Sequence, residues 1–147
     1  MRDLKLRSAV HLDAELLFKW RTDPETKKNS FSMPPANLGE HRVWLDATLD
    51  NANCKLFIVE RGSESVGTIR SDYISDGVFE LSWTISPHHR GQGIASGILT
   101  AYVNANVGIF FARIKSENVA SLRVVRKCGF HFHSEENGIL TFVLEAN

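Results

Sequence analysis

Three β-rich runs, Lys55 to Arg61, Val66 to Tyr73 and Val78 to Ile85, are separated only by Gly62-Ser63-Glu64-Ser65 and Ser75-Asp76-Gly77, and the third runs straight into a glycine-bearing loop and an amphipathic helix. This order restricts the fold more than anything else in the chain. Turns this short join antiparallel neighbours, so the runs predict a hairpin series and exclude a doubly wound sheet, whose strands alternate with helices. The helix after the loop spans about Gly93 to Asn106 with Ile94, Ile98 and Tyr102 on one stripe. A strand from Ile109 to Lys115, a helix from Asn118 to Cys128 and two short strands complete the C-terminal half.

Upstream, Leu4 and Leu6 alternate with charged residues, which suggests an edge-type first strand. Leu12, Leu16 and Trp20 recur at four-residue spacing behind Asp13 and Glu15, and predict a helix that stops near Asp23-Pro24. Asn37 and Glu40 have capping-box spacing, and the helix they open places His41, Trp44, Leu45, Thr48 and Leu49 on one face. No repeat, low-complexity tract or long linker interrupts the pattern, and 147 residues at 43% hydrophobic composition suit one domain over residues 1–147.

Lysine plus arginine and aspartate plus glutamate both total 17, so no bulk field draws nucleic acid or an anionic membrane, and an anion must be held by a local site. Cys54 and Cys128 have no metal-ligand spacing and are too few for a disulfide framework, which predicts reduced thiols and no metal centre. The alternating start Met1 to Arg7 and the lack of an apolar run near the ~20 residues of a membrane span predict a soluble, cytoplasmic protein.

The chemistry concentrates between Glu80 and Ala95. Gly91 and Gly93 let a loop turn its backbone N–H groups toward one point, and the helix behind them adds its positive end. With Arg90 beside it, this is an anion site. It is not a P-loop, which ends in Gly-Lys-Ser/Thr, and it lacks the three-glycine spacing of a dinucleotide fingerprint.

Arg90-Gly91-Gln92-Gly93-Ile94-Ala95 resembles the pyrophosphate loop of the GNAT superfamily of N-acetyltransferases, Arg/Gln-x-x-Gly-x-Gly/Ala, and Asn118-x-x-Ser121 through Lys127-Cys-Gly129-Phe130 resembles its second motif. The resemblance implies an α/β (α+β) single-domain fold: a mixed, twisted sheet of six to seven strands, about four helices, and two central parallel strands that splay apart around acetyl-CoA. It implies cofactor contacts from Trp83, Thr84, Ile85, Arg90, Gly91, Gln92, Gly93, Ile94, Ala95, Ser96, Asn118, Ser121 and Lys127, with Asn118 also an N-cap and Lys127 reaching either a phosphate or solvent. Splayed strands leave backbone amides without ladder partners, and the pantetheine amides can satisfy them. A β-bulge near Leu81 to Trp83 is the expected device for the divergence, and an N–H at Trp83 or its neighbour is the expected oxyanion donor. Many relatives carry a general-acid tyrosine where this chain has Val125, which leaves the group that protonates the thiolate open.

An amine acceptor, with a pKa of about 10.4, must lose a proton before attack. Glu80, on the strand just ahead of the expected oxyanion donor, is the first candidate base; Asp72, His41 and His88 follow, and His88-His89 is expected in an exposed loop. A narrower resemblance, carried by Trp20-Arg21-Thr22-Asp23-Pro24, His41 with Trp44-Leu45, Gly67 to Asp72 and Glu80 to Trp83, is to acetyltransferases of nucleotide-linked amino sugars in nonulosonic acid synthesis. It implies an acceptor pocket lined by Arg21, His41, Arg70 and Asp72; on the residues alone, Arg21 equally suits an ion pair with Asp23, and Trp20 and Trp44 equally suit the core. Thr22 departs from the asparagine common at its position. Three functions follow from this reading: amino-sugar N-acetyltransferase acting by direct attack as a monomer or homodimer, protein N-terminal acetyltransferase of the ribosomal-protein type, or a non-catalytic acyl-CoA-binding module.

Overall fold

A computed structural model describes residues 3–147; the Met1-Arg2 start of the alternating N-terminal stretch lies outside the described residues. The elements run β1 (Leu4–Ser8), α1 (Ala14–Arg21), α2 (Pro24–Asn29), α3 (Leu38–Asp50), β2 (Cys54–Arg61), β3 (Glu64–Ser75), β4 (Val78–Ile85), α4 (Ile94–Ala105), β5 (Gly108–Lys115), α5 (Val119–Lys127), β6 (His131–Glu136) and β7 (Ile139–Ala146). The strands form one seven-stranded sheet in the order β1-β2-β3-β4-β5-β7-β6, antiparallel everywhere except between β4 and β5. The hairpin series, the edge position of β1 and the α/β class agree with the sequence reading.

Neighbouring strand residues point to opposite faces, so the sheet sorts its side chains into two cores. On one face Val59, Ile69, Leu81, Phe110 and Ala112 pack under Ile94, Ile98 and Tyr102 of α4 and Leu122 and Val125 of α5. On the other, Ile58 packs with Leu17 and Trp20 of α1 and Leu45 of α3. The α4 stripe of Ile94, Ile98 and Tyr102 is buried, and on the shared face of α3 His41, Leu45 and Thr48 are buried while Trp44 and Leu49 are half-buried.

Three local expectations change. Leu12 is 94% exposed and lies in a 3-10 turn ahead of α1. Asp13 is buried in its place because its carboxylate accepts from both terminal nitrogens of Arg7, at 2.8 and 2.9 Å, and from the Val10 N–H, which turns Leu12 outward. Beyond the four or so helices expected, Asp23-Pro24 opens a fifth α-helix, α2, since Pro24 suits the first turn and the Asp23 carboxylate accepts the Thr26 N–H at 3.1 Å. The bulge expected near Leu81 to Trp83 is absent from the β3–β4 ladder, which runs unbroken from Gly67↔Ile85 to Tyr73↔Phe79. The extra residues sit on β3 instead, Val66 against β2 and Ile74 against β4.

Candidate active site

β4 and β5 pair only at Val78↔Ile109, Phe79↔Phe110 and Glu80↔Phe111. Beyond Glu80 they part, because β4 stays in register with β3 as far as Ile85 and β5 stays in register with β7 as far as Lys115. On the side toward β5, the backbone of Leu81 to Ile85 is left without a ladder. The opening is a cleft of about 820 Å³ walled by β4, β5, α1, α2 and the N-terminal ends of α4 and α5, within the usual size range of small-molecule sites. Trp83, Thr84 and Ile85 line it, and the side chains of Trp83 and Ile85 also pack against the larger core.

At one end the loop ahead of α4 presents its backbone. Gly91 and Gly93 both have φ of +74°, and a Cβ on either would stand in open space. Gly93 caps α4 in the left-handed region, and its carbonyl accepts the first helical N–H, from Gly97, at 3.1 Å. Among the described residues, the N–H groups of residues 91–96 have no acceptor in the protein. Free donors, left-handed glycines and a helix N-terminus fit a diphosphate. Gly91, Gly93, Ile94, Ala95, Ser96, Asn118 and Ser121 all line this end, and the Asn118 side chain also caps α5 by accepting the Ser121 N–H at 3.2 Å.

Three members of the expected cofactor set stand differently. Arg90 borders the cleft but turns to α2, where it pairs with Asp23, lies 3.0 Å from Glu25 and donates to Thr26 Oγ1 at 3.2 Å. The Arg90 guanidinium in turn holds the Asp23 carboxyl below its ordinary range. Gln92 leaves the cleft wall, its side-chain oxygen accepting from Arg61 at 3.1 Å. Lys127 is exposed at the far end of α5, outside the lining. Val125 is fully buried in the core, and Val124 and Arg123 reach the cleft instead.

The other end is polar and aromatic. Asp72 faces Glu80 across the β3–β4 ladder and Arg70 faces Ser82, so these four share the face covered by α1 and α3. Arg70 grips Asp72 with two hydrogen bonds of 2.9 and 3.1 Å. Arg113, which the sequence reading missed, donates to Glu80 at 2.6 Å. Phe31, missed as well, lies 5.1 Å below the Arg113 guanidinium at the rim. Arg21 projects from α1 with its guanidinium 4.3 Å from the centre of the Trp44 ring, and Arg70 lies 6.0 Å from the same ring. Burial, and then the Arg70 charge, pull the Arg21 guanidinium below its ordinary value. The Asp23 partner considered for Arg21 belongs to Arg90 instead.

His41 does not line the pocket. It is fully buried beneath Trp44, its ring 5.2 Å from the indole and 5.3 Å from Phe18, with neither nitrogen hydrogen-bonded. Burial, with Arg21 and Arg42 adding repulsion, lowers its pKa, so it serves as an aromatic support and not as a base. His88 is exposed and outside the lining, whereas His89 turns inward, contrary to expectation, and meets Glu64 at 3.3 Å. Neither cysteine lines the cleft, and burial pushes the Cys54 thiol up to about 11. Among the described residues no cluster of histidine, cysteine, aspartate and glutamate is arranged to hold a metal ion, and no helix is long and apolar enough to cross a membrane.

A family model described as an acetyltransferase (GNAT) domain matches residues 3–131. No curated protein sequence matches the chain. Among solved structures, the fold is similar to the spermidine N-acetyltransferase of Vibrio cholerae in complex with CoA and spermine, with a TM-score of 0.88, 16% identity and coverage of 99% of this chain and 97% of that one. It is also similar to a ribosomal L7/L12 alpha-N-protein acetyltransferase in complex with coenzyme A, with a TM-score of 0.82, 17% identity and coverage of 99% and 96%.

Proposed function

The chain belongs to the GNAT acetyltransferase family and is an acetyl-CoA-dependent N-acetyltransferase, and from that premise we propose that its acceptor is the primary amine of a nucleotide-linked amino sugar, attacked directly. The observation that carries this reading is the meeting, at the point where β4 and β5 part, of a backbone-lined anion site and a pocket of arginines and a tryptophan, with Glu80 between them. Aromatic surface suits a sugar or a base, and guanidinium suits phosphate.

Acetyl-CoA supplies the acetyl group activated as a thioester. The N–H groups of residues 91–96 and the positive end of α4 bind its diphosphate, with Asn118 and Ser121 beside them. The free backbone edge of Leu81 to Ile85 pairs with the pantetheine amides and is the chain's source of donors for negative charge on the carbonyl oxygen. Glu80 accepts the amine proton, and Arg113 holds that carboxylate at the divergence until the amine arrives. The acceptor amine is itself the nucleophile in this reading, and neither cysteine lines the cleft. A departing thiolate has a reference pKa of about 8.5, so it needs less protonation than an alkoxide.

A thiol-release assay with acetyl-CoA tests the acceptor against nucleotide amino sugars, aminoglycosides, spermidine and N-terminal peptides. Release with the nucleotide amino sugars at kcat/KM at least tenfold above the rest is expected; a preference for any other class overturns the reading. The second reading, protein N-terminal acetylation, is favoured by the placement of Asn118 and Ser121 together in the cleft and by the likeness to the ribosomal-protein enzyme.

A further inference from the structure

Every arginine on the acceptor side of the cleft except one is answered by a carboxylate. Arg70 is forked onto Asp72, Arg113 onto Glu80, and Arg90, at the border with the coenzyme loop, onto Asp23 and Glu25. Arg123 is exposed on α5, on the coenzyme side. Arg21 is half-buried, lines the cleft, and has no carboxylate partner among the described residues; the like charge of Arg70 acts on it, and its guanidinium lies 4.3 Å from the centre of the Trp44 ring. Guanidinium does not deprotonate under ordinary conditions, so the arrangement keeps a full positive charge partly out of water. Guanidinium donors in a half-buried site beside a second cation are what a multidentate oxyanion such as phosphate completes.

We propose that Arg21, held against Trp44, recognises a phosphate group on the acceptor and so makes anionic amines good substrates and polycationic amines poor ones. This rests on the nucleotide-sugar reading for the source of the phosphate, not for the existence of the site. Arg70 cannot share the task equally, because its fork is filled by Asp72. Arg21 is therefore the specificity-determining residue, and its removal alters the choice between acceptors more than it alters handling of the coenzyme.

Two measurements on the intact protein test this. In the first, calorimetry titrates uridine diphosphate into wild type, Arg21→Lys and Arg21→Met, each saturated with coenzyme A so that the coenzyme site is closed to the probe. Binding to wild type, at least tenfold weaker binding to Arg21→Met and an intermediate value for Arg21→Lys are expected; no binding to wild type, or equal binding to all three, overturns the proposal. In the second, kcat/KM is compared for a uridine-diphosphate-linked amino sugar, the same sugar as an uncharged methyl glycoside, spermine and an acidic N-terminal peptide. The ratio of linked to unlinked sugar should fall at least tenfold in Arg21→Met. If neither sugar is acetylated while the diphosphate still binds through Arg21, the nucleotide-sugar reading fails and the anion site stands. Spermine used as well as the linked sugar, or an acidic peptide whose preference depends on Arg21, overturns the phosphate assignment.

Discussion

Glu80 faces Asp72 on one side and receives Arg113 from the other, so the carboxylate nearest the divergence of the strands is held before any amine arrives. Replacing it by glutamine keeps the volume and removes the proposed acceptor of the amine proton. Glu80→Gln should leave acetyl-CoA affinity nearly intact by calorimetry and lower kcat by roughly 10² to 10⁴ at saturating acceptor; a wild-type rate and pH profile would return Glu80 to a structural ion pair. His41 makes a different prediction. Its folded pKa lies below the unfolded value of about 6.5, so its neutral form contributes full stability above that pH and the contribution is lost as the pH falls toward the folded value. Melting temperatures from pH 8 to pH 5 should therefore fall more steeply for wild type than for His41→Phe, which has no proton to bind; parallel curves would refute the buried, neutral assignment. Both residues were visible in the sequence as candidates. Alternation along a strand identifies a face but not the partner across it, so Arg113, two residues beyond the position opposite Glu80, carried no sequence signal.

At the scale of single elements, the loop ahead of α4 behaves as its glycines require, and the short helix α2 does not follow from periodicity. Gly93 holds φ at +74°, where a β-branched side chain is strained, in front of the unpaired N–H groups proposed to bind the coenzyme. Gly93→Val should weaken acetyl-CoA binding tenfold or more, with Gly93→Ala between it and wild type; unchanged affinity in a folded variant would remove the loop from the site. α2 exposes most of its surface and is held by its ends: Asp23 caps it and engages Arg90, and the Lys28 carbonyl accepts Lys115 at 2.9 Å. Asp23→Ala removes the cap and the ion pair together and should cost about 1–2 kcal/mol in chemical denaturation. On α5, Val125 points into the core, so Val125→Tyr should not raise turnover and should cost about 1–3 kcal/mol from overpacking; a large gain in rate would show that the thiolate lacks a proton donor the ring can supply.

Across the whole molecule, one break in one ladder opens the candidate site. Pairing of β4 with β5 for three residues ties the two halves of the sheet together, and its failure beyond Glu80 opens the cleft along a free backbone edge. Coenzyme binding should raise the stability of the protein by about 2.7 kcal/mol at 100 times the dissociation constant, and hydrogen exchange at Leu81 to Ile85 should slow more than at Gly67 to Tyr73, which is already paired on both sides; equal protection of the two segments would contradict the edge assignment. The sequence by itself determined the order of the hairpins and of the four longer helices, the α4 stripe, the glycine loop and the two family motifs, because each is written in residues close together along the chain, where turn chemistry, capping and periodicity act. Only the tertiary structure decided that Arg90 turns to α2, that His41 is a support beneath Trp44 and not a wall of the pocket, that Arg113 meets Glu80, and that bulges fall on β3 while β4 runs unbroken. Those outcomes depend on which strands are neighbours, in what register, and which charges are brought together from dozens of residues apart, and no local rule sets such pairings.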